Sequence, residues 1–264
     1  MLSGENMSFP VLEFASLGSG SKGNATLISV ANTCIMVDCG FSMRETLVRL
    51  EASGKQPEEI SAILLTHEHG DHIKGAGALS RKFGIPVWST RGTAQADALG
   101  DIGRQYFINT EEEFEIGNIQ VQAFPVPHDA REPCQYVFSN GEHKLGLLTD
   151  VGKGTPHIVE KLSKCDALLL ECNHDTDMLF NSEYPESLKQ RVAGDLGHLS
   201  NQQAAQILAQ LDTTNLKYIA AMHLSDKNNQ SELARQALSS ALDWQDSWIN
   251  IADQNKGLAW HSID

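Results

Sequence analysis

The chain has 264 residues, 41% of them hydrophobic, and its 34 acidic against 20 basic side chains give a net charge of −14. This length suits one large α/β domain or two small ones, and no apolar run approaches the ~20 residues that span a bilayer. Residues 1–9 lack the basic start and apolar stretch of a secretory signal, and the acidic balance argues against a surface coated in basic charge for nucleic acid.

The predicted elements are short apolar runs, each followed by a turn and often by a helix. Strands are predicted, in chain order, at 33–37, 62–65, 86–89, 167–170, 218–221, 248–252 and 257–261. Helices are predicted at 43–52, 74–83, 93–98, 201–211 and 231–242, with Ser200 placed to cap the fourth. Asn-containing turns at 117–118 and 140–141 indicate two hairpins. Two sheets with helices outside them follow from this alternation.

No repeat, low-complexity segment or Pro- or Gly/Ser-rich linker divides the chain. We therefore expect residues 1–8 to form a flexible tail and residues 9–264 to form a single domain. The five cysteines are an odd number without a CxxC pair, so we expect reduced, mostly buried thiols in a cytoplasmic protein.

Six of the apolar runs are followed at once by imidazole or carboxylate side chains. These are Asp38, the segment 66–72 (Thr-His-Glu-His-Gly-Asp-His), His128, Asp150, the segment 173–175 (Asn-His-Asp) and His223. Ligands of open sheets gather beyond the carboxyl ends of strands, so these residues are predicted to converge on one edge of the fold.

Imidazole and carboxylate together are ligands of zinc, manganese or iron. A tight turn can direct His67 and His69 to one ion and Asp71 and His72 to a second. Three histidines and an aspartate after a buried strand would also cost stability if they were buried without partners. The sequence therefore predicts a metal site at 67–72.

Residues from other runs can complete this site. His128 would give the first ion a third imidazole, and His223 would serve the second. Asp150 has two oxygens and so can bridge both ions. Asp38 is expected to orient a ligand or the loop. The isolated histidines at 143, 157 and 261 are assigned no function.

The pattern HxHxDH, followed by His128, Asp150 and His223, resembles the metallo-β-lactamase superfamily over nearly the whole chain, from Asp38 to His223. The resemblance implies an α/β fold, a four-layer αββα sandwich with two divalent metal ions at one edge. It implies the same ligands as above: His67, His69 and His128 for one ion, Asp71, His72 and His223 for the other, and Asp150 between them.

Details narrow the subgroup. β-Lactamases of this superfamily often have Cys at the position of Asp150, so Asp150 favours the hydrolases whose two metal ions are bridged. Flavodiiron proteins have Glu at the position of His69, so His69 argues against redox chemistry. The segment 150–223 is too short for the extra domain of β-CASP nucleases. The segments 16–24, 171–175, 194–201 and 223–229 resemble the YycJ/WalJ branch, which is associated with 5′–3′ exonuclease action on DNA.

Residues of those segments are candidate substrate contacts. Ser19, Ser21, Lys22 and Asn24 belong to a loop whose N–H groups could bind phosphate, or which is a plain Gly/Ser turn. Ser225, Asn228 and Asn229 could contact phosphate or cap the next helix. Lys22, Arg44, Lys74, Lys189, Arg191 and Lys227 could form the basic patch that DNA requires.

Asp71 and His198 are the candidate catalytic residues. His198 could donate a proton to the leaving oxygen, hold a phosphate, or only pack at a helix start. We therefore expect a metal-dependent phosphodiesterase, a 5′–3′ DNA exonuclease that needs no covalent intermediate. Two alternatives remain: a hydrolase of the same fold acting on a small phosphodiester, thioester or lactone, and a non-catalytic metal-bound interaction module.

Overall fold

The computed structural model describes residues 9–263, so the predicted tail at 1–8 lies outside the described residues. In chain order the strands are β1 (Leu12–Gly18), β2 (Ala25–Val30), β3 (Thr33–Val37), β4 (Ala62–Leu64), β5 (Val87–Ser89), β6 (Gln105–Phe107), β7 (Glu113–Ile116), β8 (Ile119–Pro125), β9 (Cys134–Ser139), β10 (Lys144–Leu148), β11 (Ala167–Glu171), β12 (Tyr218–Met222), β13 (Ile249–Ile251) and β14 (Leu258–Ile263).

The helices alternate with these strands. They are α1 (Met43–Ala52), α2 (Gly70–Ile73), α3 (Ala76–Phe83), α4 (Pro156–Leu162), α5 (Thr176–Phe180), α6 (Glu186–Ala193), α7 (Asn201–Leu208) and α8 (Ser231–Leu242). None of the helices within 9–263 is both long and apolar enough to cross a membrane.

The strands form two seven-stranded sheets within the described range. The first has the order β14-β1-β2-β3-β4-β5-β6, and the second has the order β13-β12-β11-β10-β9-β8-β7. One core cluster fills the space between the sheets, a second lies between the first sheet and α1 and α3, and a third lies between the second sheet and α4, α7 and α8. This confirms the predicted four-layer αββα sandwich.

Strand side chains alternate between these layers. In β11, Ala167 and Leu169 face the space between the sheets, whereas Leu168 and Leu170 face the outer helices. Such a strand is covered on both faces, which is why it reads as an unbroken apolar run. All five cysteines are buried and unpaired, as predicted, and burial raises the pKa of Cys39 to about 12.

Several predicted helices differ in detail. The helix predicted at 74–83 starts two residues later, as α3 at Ala76, and the separate helix α2 ends just before it at Ile73. Gly75 lies between them, where a Cβ would be 2.3 Å from the Phe41 carbonyl oxygen. The short helix predicted near 93–98 is present as two 3₁₀ helices, Thr93–Gln95 and Asp97–Leu99, and not as one continuous α-helix. Ser200 caps α7 as predicted, in a reciprocal pair with Gln203.

Strand direction is what gathers the polar residues. Strands β3 to β6 run parallel in one sheet, and β10 to β13 run parallel in the other. Strand β8 shares the direction of β10, because both are antiparallel to β9. The carboxyl ends of these strands therefore lie along common edges, where their connecting loops meet.

Candidate metal centre

Three of the predicted site residues lie at or just beyond the end of a strand and have left-handed backbone angles. Asp38 and His223 follow β3 and β12 directly, and Asp150 follows β10 after Thr149. The φ angles are 59° at Asp38, 54° at Asp150 and 53° at His223. Residues other than glycine adopt this region uncommonly, although Asp and His are more tolerant of it than most. Each turns the chain sharply out of its strand, so that its side chain lies at the sheet edge.

His67, His69 and His128 form one cluster, in which the candidate ligand atoms lie within 4.8 Å of one another. His128 Nδ1 donates to the Gly197 carbonyl at 3.0 Å, which leaves Nε2 facing His69 Nδ1 at 3.2 Å. His67 is 1% exposed, and its Nε2 has no hydrogen-bond partner among the described residues. Three imidazoles thus converge on one point.

Asp71, His72 and His223 form a second cluster with the same 4.8 Å limit. The Asp71 carboxylate lies 3.7 Å from His72 Nε2 and 3.8 Å from His223 Nε2. Asp150 Oδ2 lies 3.1 Å from both His72 Nε2 and His223 Nδ1. Asp150 also forms a group with His67 and His72, so it lies between the two clusters.

Asp38 acts on this centre through His72 and Thr66. Its Oδ2 accepts from His72 Nδ1 at 2.8 Å, and its two oxygens accept from the Thr66 N–H and hydroxyl at 2.9 and 2.8 Å. This is the orienting arrangement expected for an outer residue of a metal site.

The pKa values show where the centre requires positive charge. Burial opposes a charged His223, but Asp150 and then Glu171 raise its pKa to about 10. His72 is likewise buried, and Asp150 raises its pKa well above 6.5. Burial would raise the pKa of Asp150, but His223 and His72 hold it well below 3.8. Burial and His72 lower the pKa of His67, which keeps it neutral with a lone pair available.

These observations fit bound cations. The buried, unpartnered His67 Nε2 is a ligand atom without a ligand, and the Asp150 carboxylate lies in a buried site that otherwise charges two histidines. A divalent ion would satisfy both requirements, since it accepts the lone pair and neutralises the carboxylate.

Glu171, the last residue of β11, was not among the predicted site residues. It is fully buried; Oε2 accepts from the Val151 N–H at 2.8 Å, and Oε1 lies 2.8 Å from His198 Nδ1 and 3.6 Å from His223 Nδ1. Burial lowers the pKa of His198, but the Glu171 carboxylate more than offsets this, so the pKa of His198 is raised from its ordinary value of 6.5. The sequence held a signal, because a carboxylate closing an unbroken apolar strand is rarely buried without a partner.

A cleft of about 390 Å³ opens beside the metal centre and is lined by Asp71, Asp150, His198 and Arg191, among others. Arg191 on α6 pairs with Asp129 at 2.7 Å, and Asp129 Oδ1 lies 3.5 Å from His128 Nε2. Asp129 was also missed by the sequence. No pattern along the chain shows that α6 crosses to this loop.

The loop at 19–24 supports the centre instead of forming an open phosphate site. The N–H groups of Ser19, Gly20, Lys22, Gly23 and Asn24 all donate to protein oxygens. The prediction of a concave N–H anion site is therefore wrong for these groups, because oxygens of the loop itself satisfy two of them and residues far along the chain satisfy the other three.

The predicted side chains of this loop differ in their surroundings. Ser19 Oγ accepts from the His223 N–H at 2.8 Å, and Asn24 Nδ2 lies 3.1 Å from His72 Nε2. Ser21 lines the cleft, whereas the Lys22 ammonium pairs with Asp226 at 2.5 Å.

The other predicted substrate contacts are divided. Ser225 and Asn228 line the cleft. The side-chain amide of Asn229 instead forms two reciprocal hydrogen bonds with that of Asn201 on α7. Of the six basic residues predicted as a patch, Arg191 is the one that lines the cleft among the residues described. The patch and the substrate roles stay predictions.

The chain matches the family described as Beta-lactamase superfamily domain over residues 33–220. It belongs to this superfamily. The fold and the His/Asp clusters together indicate that it binds divalent metal.

Within the superfamily the chain is similar to curated relatives named for nuclease activity. It is 37% identical to exodeoxyribonuclease YycJ of Bacillus anthracis, over 88% of this chain and 89% of the relative. It is 34% identical to exodeoxyribonuclease WalJ of Streptococcus pneumoniae, over 90% and 91%. The metallo-β-lactamase fold protein YhfI from Bacillus subtilis superposes with a TM-score of 0.77, at 15% identity over 96% of this chain and all of that one, which shows the shared fold.

Proposed function

We propose that this protein is a metal-dependent phosphodiesterase with two divalent ions, and specifically a 5′–3′ DNA exonuclease. The observation that carries the proposal is the convergence of two His/Asp clusters, with Asp150 between them, beside one polar cleft. The exodeoxyribonuclease relatives, which match about nine-tenths of the chain, support DNA as the substrate. The five unpaired cysteines of this chain support a cytoplasmic location.

We assign one ion, of zinc, manganese or iron, to His67, His69 and His128. The other is assigned to Asp71, His72 and His223, with Asp150 shared. When bound, such a pair supplies an acidified water and neutralises phosphate charge. His72 and His223 must release their protons to act as ligands, so the centre fills more readily as pH rises.

Arg191 and His198 act on the substrate in this proposal. Arg191 places its guanidinium at the cleft, where it can pair with a non-bridging phosphate oxygen. Glu171 engages His198 Nδ1, which leaves Nε2 as the atom that holds a proton toward the cleft. Because Glu171 raises the pKa of His198 above its ordinary value, the ring holds this proton to higher pH than a free imidazole does and can donate it to the leaving sugar oxygen.

The test is to incubate the purified protein with 5′-phosphorylated DNA and manganese or zinc. Asp150→Ala should abolish nucleotide release, while Asp195→Ala, which changes an exposed aspartate outside the cleft, serves as the matched control. Activity that survives Asp150→Ala would refute the assigned site.

A small substrate is the second candidate, favoured by the net charge of −14 and by the single predicted basic residue at the cleft. A panel of thioesters, lactones and bis(p-nitrophenyl) phosphate separates the two, because a small-molecule hydrolase would turn over one of these far faster than DNA. A non-catalytic module would turn over neither DNA nor any member of this panel, with or without added metal, even though chelation would lower its thermal stability as it does for an enzyme.

A further inference from the structure

Asn228 has a buried side chain that the metal centre does not explain. It is 1% exposed and lines the cleft, yet its Oδ1 has no hydrogen-bond partner among the described residues. An unpaired buried amide oxygen destabilises a protein unless a ligand or water satisfies it. Asn228 is therefore a polar group prepared for something that enters the cleft.

The backbone of Asn228 is fixed on both sides. Its N–H donates to Ser225 Oγ at 3.2 Å, and its carbonyl accepts from the Asp175 N–H at 2.8 Å. The backbone that bears the side-chain amide is thus held by bonds that leave the Oδ1 acceptor unused. A carboxamide can present both to a partner with a matching pair, as the edges of nucleobases do.

Part of the cleft lining is aromatic and aliphatic. Tyr184, just before α6, lines it together with Leu188 and Val192. The Lys227 ammonium lies 5.6 Å from the centre of the Tyr184 ring. An aromatic ring beside a cation is a surface on which any of the nucleobases can stack.

The size of the cleft limits its occupant. At about 390 Å³ it is near the lower end of the ~300–1,000 Å³ typical of ligand pockets. Such a space suits one nucleotide and not a base pair. His223 and Asp150 line the same cleft, so a phosphate at the metal centre leaves its own nucleoside within it.

We propose that Tyr184 and Asn228 form a subsite for one unpaired nucleobase, which stacks on the Tyr184 ring and bonds through its edge to the Asn228 amide. This subsite rests on the proposed function, because it takes the base of the nucleotide whose phosphate lies at the metal centre.

The test compares binding of thymidine 5′-monophosphate and 2-deoxyribose 5-phosphate to the manganese-loaded protein by calorimetry, since the two differ only in the base. The wild type should bind the nucleotide at least about tenfold more tightly. Tyr184→Leu and Asn228→Ala should each remove most of this preference, and Tyr184→Phe, which keeps the ring, should retain it. Tyr106→Leu, at an exposed tyrosine on β6, is the matched control.

Equal affinities in the wild type, or a preference that survives Tyr184→Leu, would overturn the subsite. Tyr184 is only half-buried, so its two variants keep the test valid if Asn228→Ala does not fold. Failure of the proposed function looks different: the wild type would release no nucleotide from DNA while still preferring the nucleotide over the sugar phosphate. DNA hydrolysis without any base preference would sink the subsite alone.

Discussion

Glu171 Oε1 lies 2.8 Å from His198 Nδ1, while the other oxygen of the same carboxylate accepts from the Val151 N–H. One buried carboxylate thereby fixes both a cleft histidine and the chain directly after Asp150. The orientation of His198 is therefore tied to the position of the residue that lies between the two metal clusters.

Replacing Glu171 by glutamine tests this relationship. The amide keeps the shape but loses the charge that raises the pKa of His198, so that pKa should fall. We expect kcat to drop about 10–100-fold, and the high-pH limb of the rate profile to move to lower pH, because His198 works in its protonated form. The profile is measured alongside metal content. A limb that stays in place would show that His198 is not the proton donor.

Removal of the metal should change stability as well as rate. Without an ion, the buried His67 Nε2 has no partner and the Asp150 carboxylate relies on protonated histidines. We expect exhaustive chelation to lower the thermal midpoint by several degrees and to abolish turnover, with both restored by manganese or zinc. Scanning calorimetry before and after readdition measures this, and an unchanged midpoint would contradict metal binding at these clusters.

Gly40 should tolerate no side chain. A Cβ there would lie 1.6 Å from the Asp71 carbonyl oxygen, which also accepts the Asn24 N–H at 2.8 Å. Gly40→Ala must separate these atoms and displace Asp71, so we expect a loss of about 1–3 kcal/mol or more in unfolding free energy, with reduced metal content. Gly103→Ala, where a Cβ meets nothing within 4 Å, is the control and should stay within about 0.5 kcal/mol.

His174 should make the protein less stable in mild acid. Burial lowers its pKa to about 4 from 6.5, so between these values the unfolded chain binds a proton that the folded chain does not. The free energy of unfolding is therefore unaffected by His174 above pH 6.5 and decreases as the pH falls from 6.5 toward 4. Linkage gives a loss of about 2 kcal/mol between about pH 7.5 and pH 5. Urea denaturation at both values, in chelated wild type and His174→Gln, should show a loss about 2 kcal/mol larger in the wild type, because His67 and His128, whose pKa values burial also lowers, titrate in both proteins.

The His/Asp clusters could be predicted from sequence because each segment that supplies a member follows an apolar run, and parallel strands bring such segments to one edge. The roles at 19–24 could not, since Gln254 and Asp253 satisfy that loop from the far end of the chain. The same holds for Asp129, whose partner Arg191 reaches it only because α6 lies across the cleft. Contacts made between loops produce no periodic pattern in the sequence, so they cannot be predicted from it.

The left-handed backbone at Asp38, Asp150 and His223 makes these three positions harder to substitute than the other residues of the centre. A replacement there is penalised by its main-chain preference as well as by its chemistry, and β-branched residues suffer most. The three-imidazole half carries no such double demand, and His69 has an ordinary φ of −64°. Tuning of metal preference should therefore proceed through His69, with a smaller fall in urea midpoint than the same exchange at His223.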